Sequence, residues 1–166
     1  MKILLPVDAS SAALAPIPHL EALARAGVAL EVLVMNVQPR FRRQVARFTS
    51  RSSRDALREE RSRAAMARAI ETLSSTQIPF RAFAETGHPA ERIAAVAERE
   101  QVDEVMIGVG RHPQWLRWIN PSIAQAVMEL SDIPVTVFAR GRASAFERYA
   151  VPAGLAGVAA LLLSVE

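Results

Sequence analysis

The stretch GVGRHPQWLRWINPS, residues 108–122, joins an apolar run to an amphipathic one. An anion-binding loop needs glycines, so that the backbone can approach closely, and then a helix start whose N–H groups face the negative charge. Gly108, Gly110 and Ser122 are residues of that type. Arg111 and Arg117 add guanidinium groups that can grip phosphate bidentately. Pro121 acts in the opposite sense: it removes a backbone donor just before the helix and fixes φ at about −65°. A second reading of the same residues places Arg111, His112 and Arg117 in a solvated loop, with Trp115 and Trp118 packed on the sheet end or on a partner.

Catalytic chemistry has few residues to draw on. There are no cysteines, which excludes a disulfide framework, a zinc-thiolate site and thiol catalysis. His19, His88 and His112 are far apart and lack metal-ligand spacing. Ser10, Ser11 and Ser122 have no histidine-plus-carboxylate pair close in sequence, and no acidic pair stands at metal spacing. No catalytic set emerges. His88, just before Pro89, reads as a turn residue, and Asp8 as a carboxylate at a strand end where it can cap the following helix.

The elements that must position these residues follow from periodicity. Lys2–Val7, KILLPV, reads as a buried parallel strand. A helix is predicted from Ser11 to Ala26, with Pro16 and Pro18 inside it and Gly27 as its closing glycine. Further strands are predicted over Ala29–Val37, Pro79–Glu85, Val102–Val109 and Ile133–Ala139. Helices are predicted over Arg54–Ser75, from Pro89 onward, and over Ser122–Leu130. This alternation implies an α/β fold: an open five-stranded parallel sheet, Rossmann-like, with helices on both faces. Ligands of such sheets bind beyond the carboxyl ends of the strands, where the strand order reverses. That directs attention to Val7-Asp8-Ala9, Asn36-Val37-Gln38 and residues 108–122.

Composition bounds the rest. The 166 residues, 51% of them apolar, suffice for one domain with a full core. The formal charge is only +3, yet the pI is about 10.5. Lys2 is the sole lysine, and arginine hardly titrates, so a small excess of bases carries the pI upward. The high pI is therefore no argument for nucleic acid, which is not an expected partner. MKILLPVD has no signal-peptide pattern, and a cytoplasmic location is expected.

Three segments together resemble the universal stress protein family: KILLPVDAS, TGHPAERIAAVAEREQVDEVMIGVG and PSIAQAVMELSDIPVTVFA, spread over residues 2–139. The resemblance implies a nucleotide-binding-type α/β fold and a homodimer joined near the last strand. It implies that Asp8 lies beside a nucleoside and that Val37 borders an adenine through its backbone. The nucleotide-binding branch carries G-x2-G-x9-G-[ST] at the loop. Laid over this chain without gaps, the pattern starts at Gly108 and ends at Ser122. Its second glycine falls on Arg111 and its third on Pro121; Gly110 is one position away from the second. Losing one charge-assisted backbone hydrogen bond costs about 1.5–3 kcal/mol, roughly tenfold or more in affinity.

The resemblance thus implies a non-catalytic dimeric binding or signalling module in the stress response, with weak or absent ATP binding. The alternative keeps ATP, AMP or another adenine nucleotide in a reshaped site built from Asp8, Val37, Gly108, Gly110, Arg111 and Ser122. A slow ATPase is the enzymatic reading, and the lack of metal ligands and a base speaks against it.

Two stretches stand apart. From Arg40 to Arg68 there are ten arginines against three acids, with Phe41 and Phe48 among them. This is a solvated helix face with pairs such as Glu59–Arg63, or a lid or docking arm near the crevice. Beyond residue 139, a basic linker leads to the uncharged Tyr149–Val165, so the domain is expected to span 1–139 and the extension 140–166. The apolar tail can pack on the domain or in the dimer interface, anchor the chain weakly to a membrane, or stay unfolded. It falls short of the roughly 18–20 residues of a span and contains Pro152, Gly154 and Gly157.

Overall fold

A computed structural model describes residues 1–40, 50–110 and 123–139. The elements run β1 (Lys2–Pro6), a one-turn 3-10 helix (Ser11–Leu14), α1 (Ile17–Arg25), β2 (Glu31–Gln38), α2 (Arg51–Ser74), β3 (Phe80–Thr86), α3 (Pro89–Arg99), β4 (Glu104–Val109), α4 (Ile123–Leu130) and β5 (Val135–Ala139). The expected α/β alternation is what forms. The five strands are all parallel, in the order β3-β2-β1-β4-β5. The C-terminal extension, 140–166, lies outside the described residues, as do residues 41–49 of the arginine-rich stretch for which a lid or docking arm was the alternative reading.

Alternation along the strands divides the core in two. Ile3 and Leu5 of β1, Val7 just after it, and Val32 and Val34 of β2 pack with Ile17 and Leu20 of α1 and with Met66, Ala69 and Leu73 of α2. Leu4, Leu33, Met35, Val105 and Ile107 face the other way, onto Ile93, Val96 and Ala97 of α3 and Ala124 and Val127 of α4. Successive strand side chains point to opposite faces, so central strands buried on both sides read as unbroken apolar runs.

The first helix departs from expectation. One helix was predicted over Ser11–Ala26; instead a 3-10 turn ends at Leu14, and α1 begins only at Ile17. Pro16 and Pro18 lack N–H groups, and Pro16 takes the N-cap position where that lack costs nothing. Gly27 is the helix-closing residue at φ +86°, with its N–H bonded to the carbonyl of Ala24. α2 begins three residues earlier than predicted because the Ser50 hydroxyl accepts from the Ser53 N–H at 3.0 Å.

The amino ends of the strands carry a charged cluster. The Lys2 ammonium donates to the Glu100 carbonyl at 2.8 Å, and the Lys2 N–H to Asp103 Oδ2 at 2.6 Å. Arg81, at the start of β3, pairs with Glu100 and reaches Glu31 at 4.0 Å. Lys2 and Arg81 hold the Glu100 carboxyl below the ordinary glutamate range, the Arg81 hydrogen bond being the largest cause and burial opposing it.

Candidate functional site

From β1 the chain winds outward through β2 to β3, then crosses back to β4 on the other side of β1. The strand order reverses between β1 and β4. α1 and α4 pack on opposite faces, and in such sheets the ligand crevice lies beyond the strand ends at this point.

Asp8 stands at the β1 end of this crevice and is exposed. Its Oδ1 accepts from the Ser10 N–H at 2.9 Å, which tightens the turn into the 3-10 helix. The expected capping role thus takes the form of a two-residue turn. Val37, one residue before the end of β2, pairs in register with Glu85 of β3, and its side chain lies against the α3–α4 core. Gly108 and Val109 close β4, and Gly110 follows directly. Three strand ends thus gather Asp8, Val37, Gly108 and Gly110 at one edge of the sheet. Arg111 and Ser122 lie outside the described residues.

Gly108 is held by packing as well as by any ligand. A Cβ there would stand 2.1 Å from the Ala12 carbonyl oxygen and 2.9 Å from the Ala13 Cα. Only glycine lets the 3-10 turn settle onto the end of β4, and this closes one wall of the crevice.

Sequence reasoning had directed attention to Asn36-Val37-Gln38 but gave a role to Val37 alone. Asn36 is 4% exposed and shares a strand face with Val32 and Val34. Its Nδ2 donates to the Val7 carbonyl at 2.7 Å, and its Oδ1 accepts from Gln38 Nε2 at 2.8 Å. The Val7 N–H donates to the Met35 carbonyl at 2.8 Å. The backbone just before Asp8 is thereby pinned on both sides to the end of β2. The signal in the sequence was one amide within the apolar run VLVMNV.

The two described histidines are a helix cap and a packing residue. His88 is the N-cap of α3 in extended conformation and makes no side-chain cap bond, while Pro89 takes the first helical position. His19 is half-buried and packs on Phe138, with ring centroids 5.3 Å apart. Among the described residues, no three His, Asp or Glu side chains are grouped to hold a metal ion. No helix among them is long and apolar enough to cross a membrane.

Comparison with known proteins gives the same picture. The model of the universal stress protein family matches residues 1–139. No curated protein matches the sequence significantly. Among solved structures, the chain is similar to the hypothetical protein MJ0577, at 26% identity and TM-score 0.66, over 85% of this chain and 96% of that one. It is similar to a universal stress protein family protein from Arabidopsis thaliana with AMP bound, at 16% identity and TM-score 0.61, over 86% and 93%. A universal stress protein in complex with cAMP aligns at 13% identity and TM-score 0.57, over 83% and 95%.

Proposed function

The chain belongs to the universal stress protein family, and from that premise we propose that it is a non-catalytic binding module of the stress response whose crevice takes an adenine nucleotide, ATP being held weakly. The observation that carries this reading is the gathering of Asp8, Val37, Gly108 and Gly110 at the strand ends around the reversal point. An exposed carboxylate, a backbone strand end and a close-approaching glycine are the groups that a nucleoside contacts in such a crevice. Two relatives of this fold hold AMP and cAMP, which supports an adenine ligand.

Weak ATP binding rests on the sequence. Arg111 and Pro121 stand where a phosphate loop of this length has glycines, and each loses a backbone approach or donor. The module is proposed to work as a homodimer joined along β5, an edge strand whose Val137 is 44% exposed.

Calorimetry with AMP, cAMP and ATP tests the reading. AMP or cAMP is expected to bind, and Asp8→Ala to abolish that binding. ATP is expected to show a dissociation constant above roughly 10 μM, tenfold or more from that of an intact loop. Micromolar or tighter ATP binding overturns the weak-ATP assignment. Absence of binding by all three overturns the nucleotide assignment.

A further inference from the structure

α2 is 24 residues long, about 36 Å, although β3 after it has only seven residues, about 23 Å. The surplus lies at its first turns. Along its inward row, Leu73, Ala69, Met66 and Ala65 are buried in or beside the core. The same row continues, at i, i−4 and i−8, through Ser62, Arg58 and Arg54.

Helix rise fixes how high these residues stand. Leu73 packs in one cluster with Val32. Ser62 is eleven residues back, about 16 Å, and Val37 is five strand residues beyond Val32, also about 16 Å. Ser62 is thus level with the end of β2, and Arg58 and Arg54 rise one and two turns above it. α2 also touches the 3-10 turn that follows Asp8. The row changes from apolar to hydroxyl and guanidinium at the height where the sheet stops and the crevice opens.

Burial separates these arginines from their neighbours. Arg54 and Arg58 are half-buried, whereas Arg51, Arg61 and Arg63 are exposed. The Arg58 side chain is 24% exposed against 73% for Arg63. Asp55 holds Arg58 Nη1 at 2.8 Å and so fixes the guanidinium in place. Below it, Ser62 is 2% exposed and its Oγ has no hydrogen-bond partner among the described residues. A buried hydroxyl left unpaired is costly, and one at the rim of a crevice marks a place where a polar ligand atom is accommodated.

We propose that Arg54, Arg58 and Ser62 form a cationic wall of the nucleotide crevice and take the phosphate groups of the ligand. The wall supplies from a helix side the anion contacts that the loop lost at Arg111 and Pro121. This inference rests on the reading of the crevice as an adenine-nucleotide site. Guanidinium groups suit the task because they stay charged and present paired donors to phosphate oxygens.

The test compares ATP, AMP, adenosine and inorganic tripolyphosphate on the full chain, its Arg54→Gln/Arg58→Gln variant, and an Arg61→Gln/Arg63→Gln control of equal charge change. Binding is followed by calorimetry, or by NMR shift titration where it is weak. The wall predicts that ATP and tripolyphosphate lose tenfold or more in the Arg54/Arg58 variant, AMP less, and adenosine under twofold. The control pair should change none of them by more than twofold. Arg54→Lys/Arg58→Lys should restore part of the ATP affinity. Equal losses for ATP and adenosine, equal losses in the control, or unchanged ATP affinity each overturn the inference. If the unaltered chain binds tripolyphosphate but neither adenosine nor AMP, the adenine reading fails while the wall stands, provided the Arg54/Arg58 variant loses tripolyphosphate. If the unaltered chain binds none of the four, both fail.

Discussion

The carbonyl oxygen of Ala12 lies only 2.1 Å from where a Cβ of residue 108 would stand, so Gly108 and the 3-10 turn fit together only while residue 108 has no side chain. Gly108→Ala must push the turn away from β4. The expected cost is about 2 kcal/mol or more, as for overpacking against atoms that cannot rotate aside. Urea unfolding should show a lower midpoint with an unchanged slope. Because the turn follows Asp8, AMP affinity should fall with it.

Asn36 offers a second separation of structure from ligand contact. Asn36→Leu removes the donor to the Val7 carbonyl and leaves that acceptor buried and unpaired. A loss of about 1–3 kcal/mol in unfolding free energy is expected. Hydrogen exchange should quicken at the carboxyl end of β1, with the amino end unaffected.

Much of this was legible in the sequence. The strands announced themselves because β1, β2 and β4 are buried on both faces and need apolar residues at every position. Asp8, Val37 and Gly108 could be placed at one sheet edge by topology alone. The missed parts share a physical cause, in that they depend on what meets across space. Nothing in SAALAPIP says that its first turn will lie on the backbone of β4. Arg51, Ser52 and Ser53 have no apolar period, so the predicted helix began only at Arg54. Asn36 had no role until its amide met the Val7 carbonyl across the sheet.

Acid stability should report the cluster at the other end of the sheet. Glu100 has a folded pKa below its unfolded one, set mainly by the Arg81 hydrogen bond and helped by Lys2. Its contribution is therefore fully present above the unfolded glutamate value, about 4.3, and is lost as pH falls from there through the lowered folded value. Glu100→Gln should be less stable than the parent at pH 7, and the difference should shrink steadily below about pH 4. Thermal unfolding between pH 2.5 and 7 reads this directly. A constant difference across that range would remove Glu100 from the account of acid sensitivity.

The proposed dimer has a simple test at its edge strand. Val137 is exposed on β5, and Met128 and Leu130 of the neighbouring α4 are exposed as well. Val137→Glu introduces a like charge on both copies at an interface of this kind and should shift the sedimentation coefficient to that of the monomer. A monomeric parent chain would count against the dimer outright.

The charged cluster of Lys2, Glu31, Arg81, Glu100 and Asp103 joins three strands and α3 at the end of the sheet away from the crevice. It ties down the amino end of the sheet without using any residue of the opposite rim. Among the described residues that the phosphate-loop pattern lays on this chain, Gly108, wedged under Ala12, is the one whose missing side chain the scaffold itself demands, whatever ligand the crevice takes.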